Sequence, residues 1–342
     1  MLQTCIQCGV CSSSCSVRYE LNLRKLIANF LGKKHFWDQQ LWNCTNCRIC
    51  EDRCPRGIKL TEQIVKAKKE VLERGFVPQE IIKFLENVRK FGNPFGRGKR
   101  WYENLEIKIA ERGDFDFLFF AGCATFDEKI AEVARKAVKL LNFAGVNFAV
   151  LRDESCCGND VLAIGEEGLF ELLKEKNMKI FEEVGAKKIL TLSPHCYNAF
   201  KNYYEIKTYH VTEVLSKAIE KAEIKFTKVL EKVVTFHDPC YLGRYNRIYD
   251  APRKILEYIP GIKFLEMQRS KDLSICCGGG AGNVVRYMKN RPSMMRVEEA
   301  SSLGAELLVT SCPFCFMMLE DDAKLKNLEV KDVIDLVYDS VF

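Results

Sequence analysis

From Phe115 onward, short apolar runs alternate with longer amphipathic stretches. Phe115 to Phe120, Val146 to Leu151 and Lys188 to Leu192 read as buried strands, with Glu128 to Phe143 and Gly165 to Val184 as the helices between them. The same order then recurs as strand Val233 to Phe236, helix Ala251 to Tyr258, strand Lys263 to Glu266, helix Gly282 to Leu303 and strand Glu306 to Thr310. Strands alternating with helices predict parallel α/β units, and the recurrence predicts an internal duplication. The N-terminal part has a different texture. Within Ser16 to Asn43, the positions Leu21, Leu23, Leu26, Ile27, Phe30 and Leu31 have helical spacing. Leu60 to Glu73 predicts an amphipathic helix with Ile64, Val65, Ala67, Val71 and Leu72 inward, and Pro78 to Phe91 repeats the habit. The Gly/Pro-rich stretch Gly92 to Gly98, with the basic pair Lys99 and Arg100 after it, predicts a break. The expected architecture is a multi-domain α+β chain. It has an α-helical domain over 1–95, a linker over 96–112, and two α/β units with parallel sheets over 113–230 and 231–342.

Composition narrows the class. A chain of 342 residues with 47% hydrophobic positions can bury real cores in two or three domains. The longest apolar runs, Phe115 to Cys123 and Leu303 to Val309, fall short of the roughly 20 residues a bilayer-spanning helix needs, so no transmembrane segment is expected. The net charge of +6 is spread through Lys- and Glu-rich helices, which is no nucleic-acid footprint. Met1 leads almost directly into a cysteine motif, which leaves no room for an export signal and favours a reducing cytoplasm, with docking at the inner face of a membrane left open.

All 17 cysteines fall into ligand patterns. The first is C-x2-C-x2-C-x3-C, occurring as Cys5, Cys8, Cys11, Cys15 and again as Cys44, Cys47, Cys50, Cys54, followed by Pro55. Three thiolates from one loop plus a fourth from the other run is the arrangement of two-cluster ferredoxins. Two cubane four-iron clusters are expected, one on Cys5, Cys8, Cys11 and Cys54, the other on Cys44, Cys47, Cys50 and Cys15. Paired zinc knuckles also use C-x2-C, but not this doubled run of four. Ser16 stands where many such domains carry proline, which bears on loop rigidity and not on ligation.

The second pattern fixes the register of the duplication. Cys123 answers to Cys240, Cys156-Cys157 to Cys276-Cys277, and Cys196 to Cys315, at a near-constant separation. In each half the cysteines follow strands, so they are expected to converge where strands end, the usual ligand position of open parallel sheets. Gly158 and Gly278 are expected to keep side chains away from a metal core. The segments His237-Asp-Pro-Cys240, Cys276-Cys-Gly-Gly-Gly280 and Cys312-Pro-Phe-Cys315 resemble the cysteine-rich CCG domain of heterodisulfide reductases and of glycerol-3-phosphate, lactate and glycolate dehydrogenase iron–sulfur subunits. With the ferredoxin run, the whole chain is most similar to the D-type subunit of heterodisulfide reductase. The resemblance implies a non-cubane four-iron cluster on Cys240, Cys276, Cys277, Cys312 and Cys315. In the first half, Ser193-Pro-His-Cys196 lacks one cysteine, so Cys123, Cys156, Cys157 and Cys196 are left to hold a further iron–sulfur cluster, a tetrahedral zinc, or no metal.

Two functional classes follow from the resemblance. One is a disulfide reductase subunit, with electrons entering through the cubanes and substrate sulfur meeting the cluster at Cys276 and Cys277. Its substrate would resemble the coenzyme M–coenzyme B heterodisulfide, and its partner would be a membrane b-type cytochrome. The alternative is an electron-transfer subunit linking a flavoprotein dehydrogenase or electron-transferring flavoprotein to a quinone. His237 is a candidate proton donor or a hydrogen-bonding prop, His195 a structural residue, and Arg244 and Arg247 either anion anchors or ion-pair partners. Gly278 to Gly282 lacks the pattern of a phosphate loop, and no flavin or nicotinamide fingerprint is present. Cys276→Ser is expected to abolish the cluster of the second repeat while both cubanes stay reducible. Iron analysis with low-temperature electron paramagnetic resonance reads this, and an unchanged spectrum would refute the ligand set.

Overall fold

The computed structural model describes residues 2–32, 39–96, 98, 100–103 and 105–342. Lys99 of the basic pair lies outside them. The N-terminal part carries helices α1 (Val10–Ser14), α2 (Leu23–Leu31), α3 (Ile49–Asp52), α4 (Leu60–Glu73) and α5 (Gln79–Phe91). The Asn22 side chain accepts from Lys25 N at 3.1 Å and starts α2, which buries Leu23, Leu26 and Ile27. Helix α4 buries Ile64, Ala67 and Val71 on the expected stripe, together with Lys68. Helix α5 stops at Gly92, whose φ of 72° ends the ladder.

Two units of alternating strands and helices follow. The first holds β1 (Phe117–Phe120), α6 (Glu128–Phe143), β2 (Phe148–Val150), α7 (Asn159–Ile164), α8 (Glu167–Glu183), β3 (Ile189–Thr191), α9 (Pro194–Asn202), β4 (Thr208–His210) and α10 (Val211–Glu220). The second holds β5 (Lys232–Phe236), α11 (Asp250–Tyr258), β6 (Ile262–Leu265), α12 (Pro292–Ser302), β7 (Leu307–Thr310), α13 (Pro313–Lys324), β8 (Glu329–Asp332) and α14 (Val333–Val341). The sheets have orders β2-β1-β3-β4 and β6-β5-β7-β8, with every pairing parallel. Identical topology is the structural form of the duplication. One apolar cluster joins the outer faces of both units through Leu140, Leu141, Val337 and Val341. Among the described residues, no helix is long and apolar enough to cross a membrane.

The helix expected over Gly165 to Val184 forms as α8, and a further short helix, α7, precedes it and ends at Gly165 at φ 97°. Only Pro292–Ser302 of the predicted Gly282 to Leu303 helix is α-helical: Pro292 holds Arg291 extended, and residues 283–285 form a single 3-10 turn. Strands β4 and β8 carry no apolar run. β8 is Glu-Val-Lys-Asp, a charged edge strand of the kind that resists intermolecular pairing. The stretch before β1 is not a free tether either, since Ala110 N donates to Val150 O at 2.8 Å and Val150 N to Lys108 O at 2.9 Å.

Strands β1, β3, β5 and β7 each run directly into a cysteine loop, so the parallel sheets deliver these cysteines to one edge. The helical part packs over that edge. A Cβ at Gly165 would lie 2.7 Å from Lys69 N and 3.0 Å from Val65 O of α4. Gly165→Ala is expected to cost about 2–4 kcal/mol through backbone strain plus overpacking and to lower the thermal midpoint by several degrees. Gly304→Ala, at φ 70° with nothing within 4 Å, is the control. It should lose only the strain of about 1 kcal/mol.

Candidate metal centres

The two N-terminal cysteine runs share one backbone design. The second and fourth residues after the leading cysteine are left-handed in both: Gln7 and Gly9 after Cys5, Asn46 and Arg48 after Cys44. These turns fold the loop back on itself and point amides inward, as where Gln7 N donates to Cys5 Sγ at 3.4 Å. Helices α1 and α3 then start directly after Gly9 and Arg48, so Cys11 and Cys50 sit in first turns. Cys5, Cys8, Cys11 and Cys54 line one cavity with Ile6, Arg24 and Arg56, and Cys8 is exposed. Cys15, Cys44, Cys47 and Cys50 are buried together: Cys15 is beside Cys47 and Cys44, and Cys50 beside all three. Burial pushes the Cys15 and Cys50 thiols well above their ordinary range, and the neighbouring sulfurs push them further. Such a nest holds thiolates only when a cation offsets their charge, which is what a cluster does. Lys68, wholly buried, donates from Nζ to Cys44 O at 2.8 Å, and burial brings its ammonium down to about 8.

In the second repeat, Cys240, Cys276, Cys277, Cys312 and Cys315 come together and none is more than 6% exposed. Cys277 Sγ and Cys315 Sγ are 3.3 Å apart, and Gly278 N donates to Cys276 Sγ at 3.3 Å. His237 adds a ring nitrogen to this group, within 4.8 Å of Cys277 and Cys315. Arg296 Nε donates to His237 Nδ1 at 3.3 Å, which places the imidazole proton on the otherwise unpartnered Nε2. Burial, with Arg296 beside it, holds His237 neutral at about 3.

The first repeat gathers Cys123, Cys156, Cys157 and Cys196, with Cys123 Sγ and Cys156 Sγ 3.9 Å apart. Ser193 occupies the place of Cys312, and its hydroxyl accepts from His195 N at 3.3 Å to cap α9. Cys312 makes no such cap for α13. Three buried cysteines and half-buried Cys123 fit a four-coordinate metal, and no fifth sulfur stands at the position of Ser193. Glu154 secures the loop before Cys123 by accepting from Ala121 N at 3.0 Å and Gly122 N at 2.7 Å, and burial raises its carboxyl to about 7.

The dicluster loops meet the second repeat, with Cys47 beside Cys276 and Cys15 close by. Arg244 bridges them, with Nε donating to Cys47 O at 2.7 Å and Nη1 to Ser274 O. Tyr245 donates its hydroxyl to Asn46 O at 2.6 Å. Arg244 is 3% exposed and faces backbone carbonyls, so it is a clamp and not an anion anchor on an open surface. Arg247 is exposed and lies 3.8 Å from Asp52, the ion-pair alternative. Gly158 and Gly278 are left-handed, and a Cβ would meet Phe170 at 2.7 Å or Pro292 at 3.1 Å. Nothing in the residue order marks out Lys68, Arg296 or Asp160, each a charged residue on a helix whose burial only the tertiary packing reveals.

These sites define an iron–sulfur protein built on a duplicated α/β scaffold. Residues 117–201 and 234–320 match the family model described as a cysteine-rich domain, and residues 1–58 match a 4Fe-4S dicluster domain. The chain belongs to the CCG cysteine-rich domain family of iron–sulfur oxidoreductases. It is 37% identical over 332 residues to a probable iron-sulfur-binding oxidoreductase, FadF, of Bacillus subtilis, covering 89% of this chain and 47% of that protein. It is 33% identical over 333 residues to the EtfAB:quinone oxidoreductase of Syntrophomonas wolfei, covering 88% and 46%. The chain thus spans about half the length of these two relatives. The D-type subunit of the dihydromethanophenazine:CoB–CoM heterodisulfide reductase of Methanosarcina barkeri is 29% identical over 389 residues, covering 99% of this chain and 94% of that one.

A Cβ at Gly280 would lie 2.4 Å from Thr45 O across the same junction. Gly280→Ala is expected to retain the iron content and spectra of each centre but slow electron passage between dicluster domain and second repeat. Rapid-freeze paramagnetic resonance after mixing with a reductant measures this, and parental kinetics would show that the junction does not carry the transfer.

Proposed function

We propose that this chain is an iron–sulfur electron-transfer subunit that carries electrons between a redox partner and the centre of its second repeat. In this reading Cys5, Cys8, Cys11 and Cys54 hold one cubane, and Cys15, Cys44, Cys47 and Cys50 hold the other. Cys240, Cys276, Cys277, Cys312 and Cys315 hold the non-cubane four-iron cluster, and Cys123, Cys156, Cys157 and Cys196 a zinc or a further cluster. The proposed division into 1–95, 113–230 and 231–342 makes each site the property of one domain. When bound, the clusters supply one-electron carriage.

The observation that carries the reading is the order of the cysteine sites. They run from exposed Cys8, through the buried group around Cys47, to Cys276 against it. The protein's own groups keep that line dry and rigid. Arg244 and Tyr245 clamp the junction, Lys68 braces the Cys44 loop, and Trp42, fully buried, closes its flank. A ring nitrogen of His237 lies within 4.8 Å of the sulfurs of Cys277 and Cys315; held neutral at about 3, the ring is poorly suited to delivering protons at neutral pH. The rim at Cys8 carries Arg24 and Arg56, a surface suited to an acidic partner. Enclosure of the five-cysteine site favours a relay from a flavoprotein dehydrogenase, or an electron-transferring flavoprotein, toward a quinone.

Disulfide reduction is the second reading, favoured by the near full-length match to the heterodisulfide reductase subunit. It requires the cover over Cys276 and Cys277 to open for substrate sulfur, and a b-type cytochrome as donor. Paramagnetic resonance of mildly oxidised protein, with and without coenzyme M or coenzyme B, separates the two. The relay predicts a spectrum indifferent to both thiols, and a signal induced by one thiol alone would overturn it in favour of the reductase.

A further inference from the structure

A cleft of about 640 Å³ lies between the end of α5 in the N-terminal part and α8 of the first repeat. That is the size of a small-molecule site, and no cysteine lines it among the described residues. On the α8 side Leu169, Leu172, Leu173 and Lys176 stand at i, i+3, i+4 and i+7, so one helix face forms the wall. Val88 and Phe126 complete the apolar lining. Val88 and Leu173 are buried while Leu172 is 62% exposed, so the lining runs from a closed floor to an open rim. The two sides are tied together where Cys156 N donates to Gly92 O at 2.7 Å.

The fold leaves two features of this lining unexplained. Ser155 is 4% exposed, yet its hydroxyl has no hydrogen-bond partner among the described residues. A buried hydroxyl in that state costs free energy until a polar group reaches it. The cations are the second feature. Arg100 is neutralised by Asp153 at 2.6 Å and Lys90 approaches Glu86 at 3.9 Å, but Arg89 and Lys176 have no carboxylate within ion-pair distance among the described residues. Arg89 sits in the last turn of α5, where the helix dipole favours it, but this does not account for Lys176 in the middle of α8.

We propose that this cleft binds a small organic acid with an apolar body, its anionic group at Arg89 and Lys176 and a neutral oxygen at Ser155. The orientation follows from charge. Glu154 also lines the cleft, next to Ser155, and its carboxyl group disfavours a second acid there, whereas Arg89 and Lys176 are exposed at the rim. The leucines of α8 would take the apolar body. Such a ligand would bridge the N-terminal part and the first repeat, bracing the loop that leads into Cys156.

Titration calorimetry on the full chain, prepared without oxygen, tests this with three probes of one shape. They are a biphenyl with carboxylate and hydroxyl at opposite ends, biphenyl carboxylate without the hydroxyl, and hydroxybiphenyl without the carboxylate. The hydroxy acid is expected to bind saturably and tightest, the plain acid more weakly. Arg89→Glu combined with Lys176→Glu should weaken both acids by about tenfold or more and leave hydroxybiphenyl unchanged. Ser155→Ala should bring the hydroxy acid to the affinity of the plain acid. Its iron content is measured alongside, because Ser155 adjoins Cys156; should iron be lost, Leu172→Asp replaces it, setting a carboxylate on the open rim that should weaken both acids. The hydroxy acid should also raise the thermal midpoint of the parent protein and not that of the double variant. No saturable binding of either acid, or acid binding indifferent to the loss of both cations, would overturn the proposal.

Discussion

The contact on which the other features depend is the clamp between the Cys44–Cys50 loop and the second repeat. Arg244 is buried without a carboxylate partner among the described residues, its guanidinium held by the Cys47 and Ser274 carbonyls. A buried cation of this kind is costly unless its hydrogen bonds are made and anionic charge lies near. Here Cys47, Cys240 and Cys276 surround it, and their sulfurs raise its affinity for the proton. The clamp and these cysteines therefore stabilise one another.

The duplication gains its meaning from that contact. Both repeats use the same sheet order and bring cysteines to the same edge, and the Cys44–Cys50 loop is clamped to the second by Arg244 and Tyr245. The second keeps five cysteines. The first keeps four and turns its remaining polar groups toward the seam, with Asp160 reaching Gly282 and Glu154 securing the Cys123 loop. Gene duplication supplied two equivalent sites, and asymmetric packing gave them different surroundings.

Much of this was legible from residue order. The parallel strands, the helical N-terminal part and the repeat register followed from apolar runs and cysteine spacing, because both reflect local periodicity. What escaped were elements without an apolar signature. β8 alternates charge with burial, and α12 is delayed by Pro292 beyond where its apolar pattern begins. The site showed the same division. The cysteines were visible, but Arg244 changed from an anion anchor to a clamp because its burial depends on a loop almost 200 residues away in the chain. The left-handed Arg48 was equally hidden, since arginine does not advertise that conformation as glycine or asparagine does.

The cubane proposed on Cys15, Cys44, Cys47 and Cys50 and the centre proposed for the second repeat are expected to be immediate neighbours. Paramagnetic resonance of protein poised so that both centres are paramagnetic tests it most directly. Contact of Cys47 with Cys276 predicts a mutual magnetic interaction, seen as splitting or broadening of both signals and as fast mutual relaxation. A spectrum that is the plain sum of two independent, unbroadened signals would contradict the account.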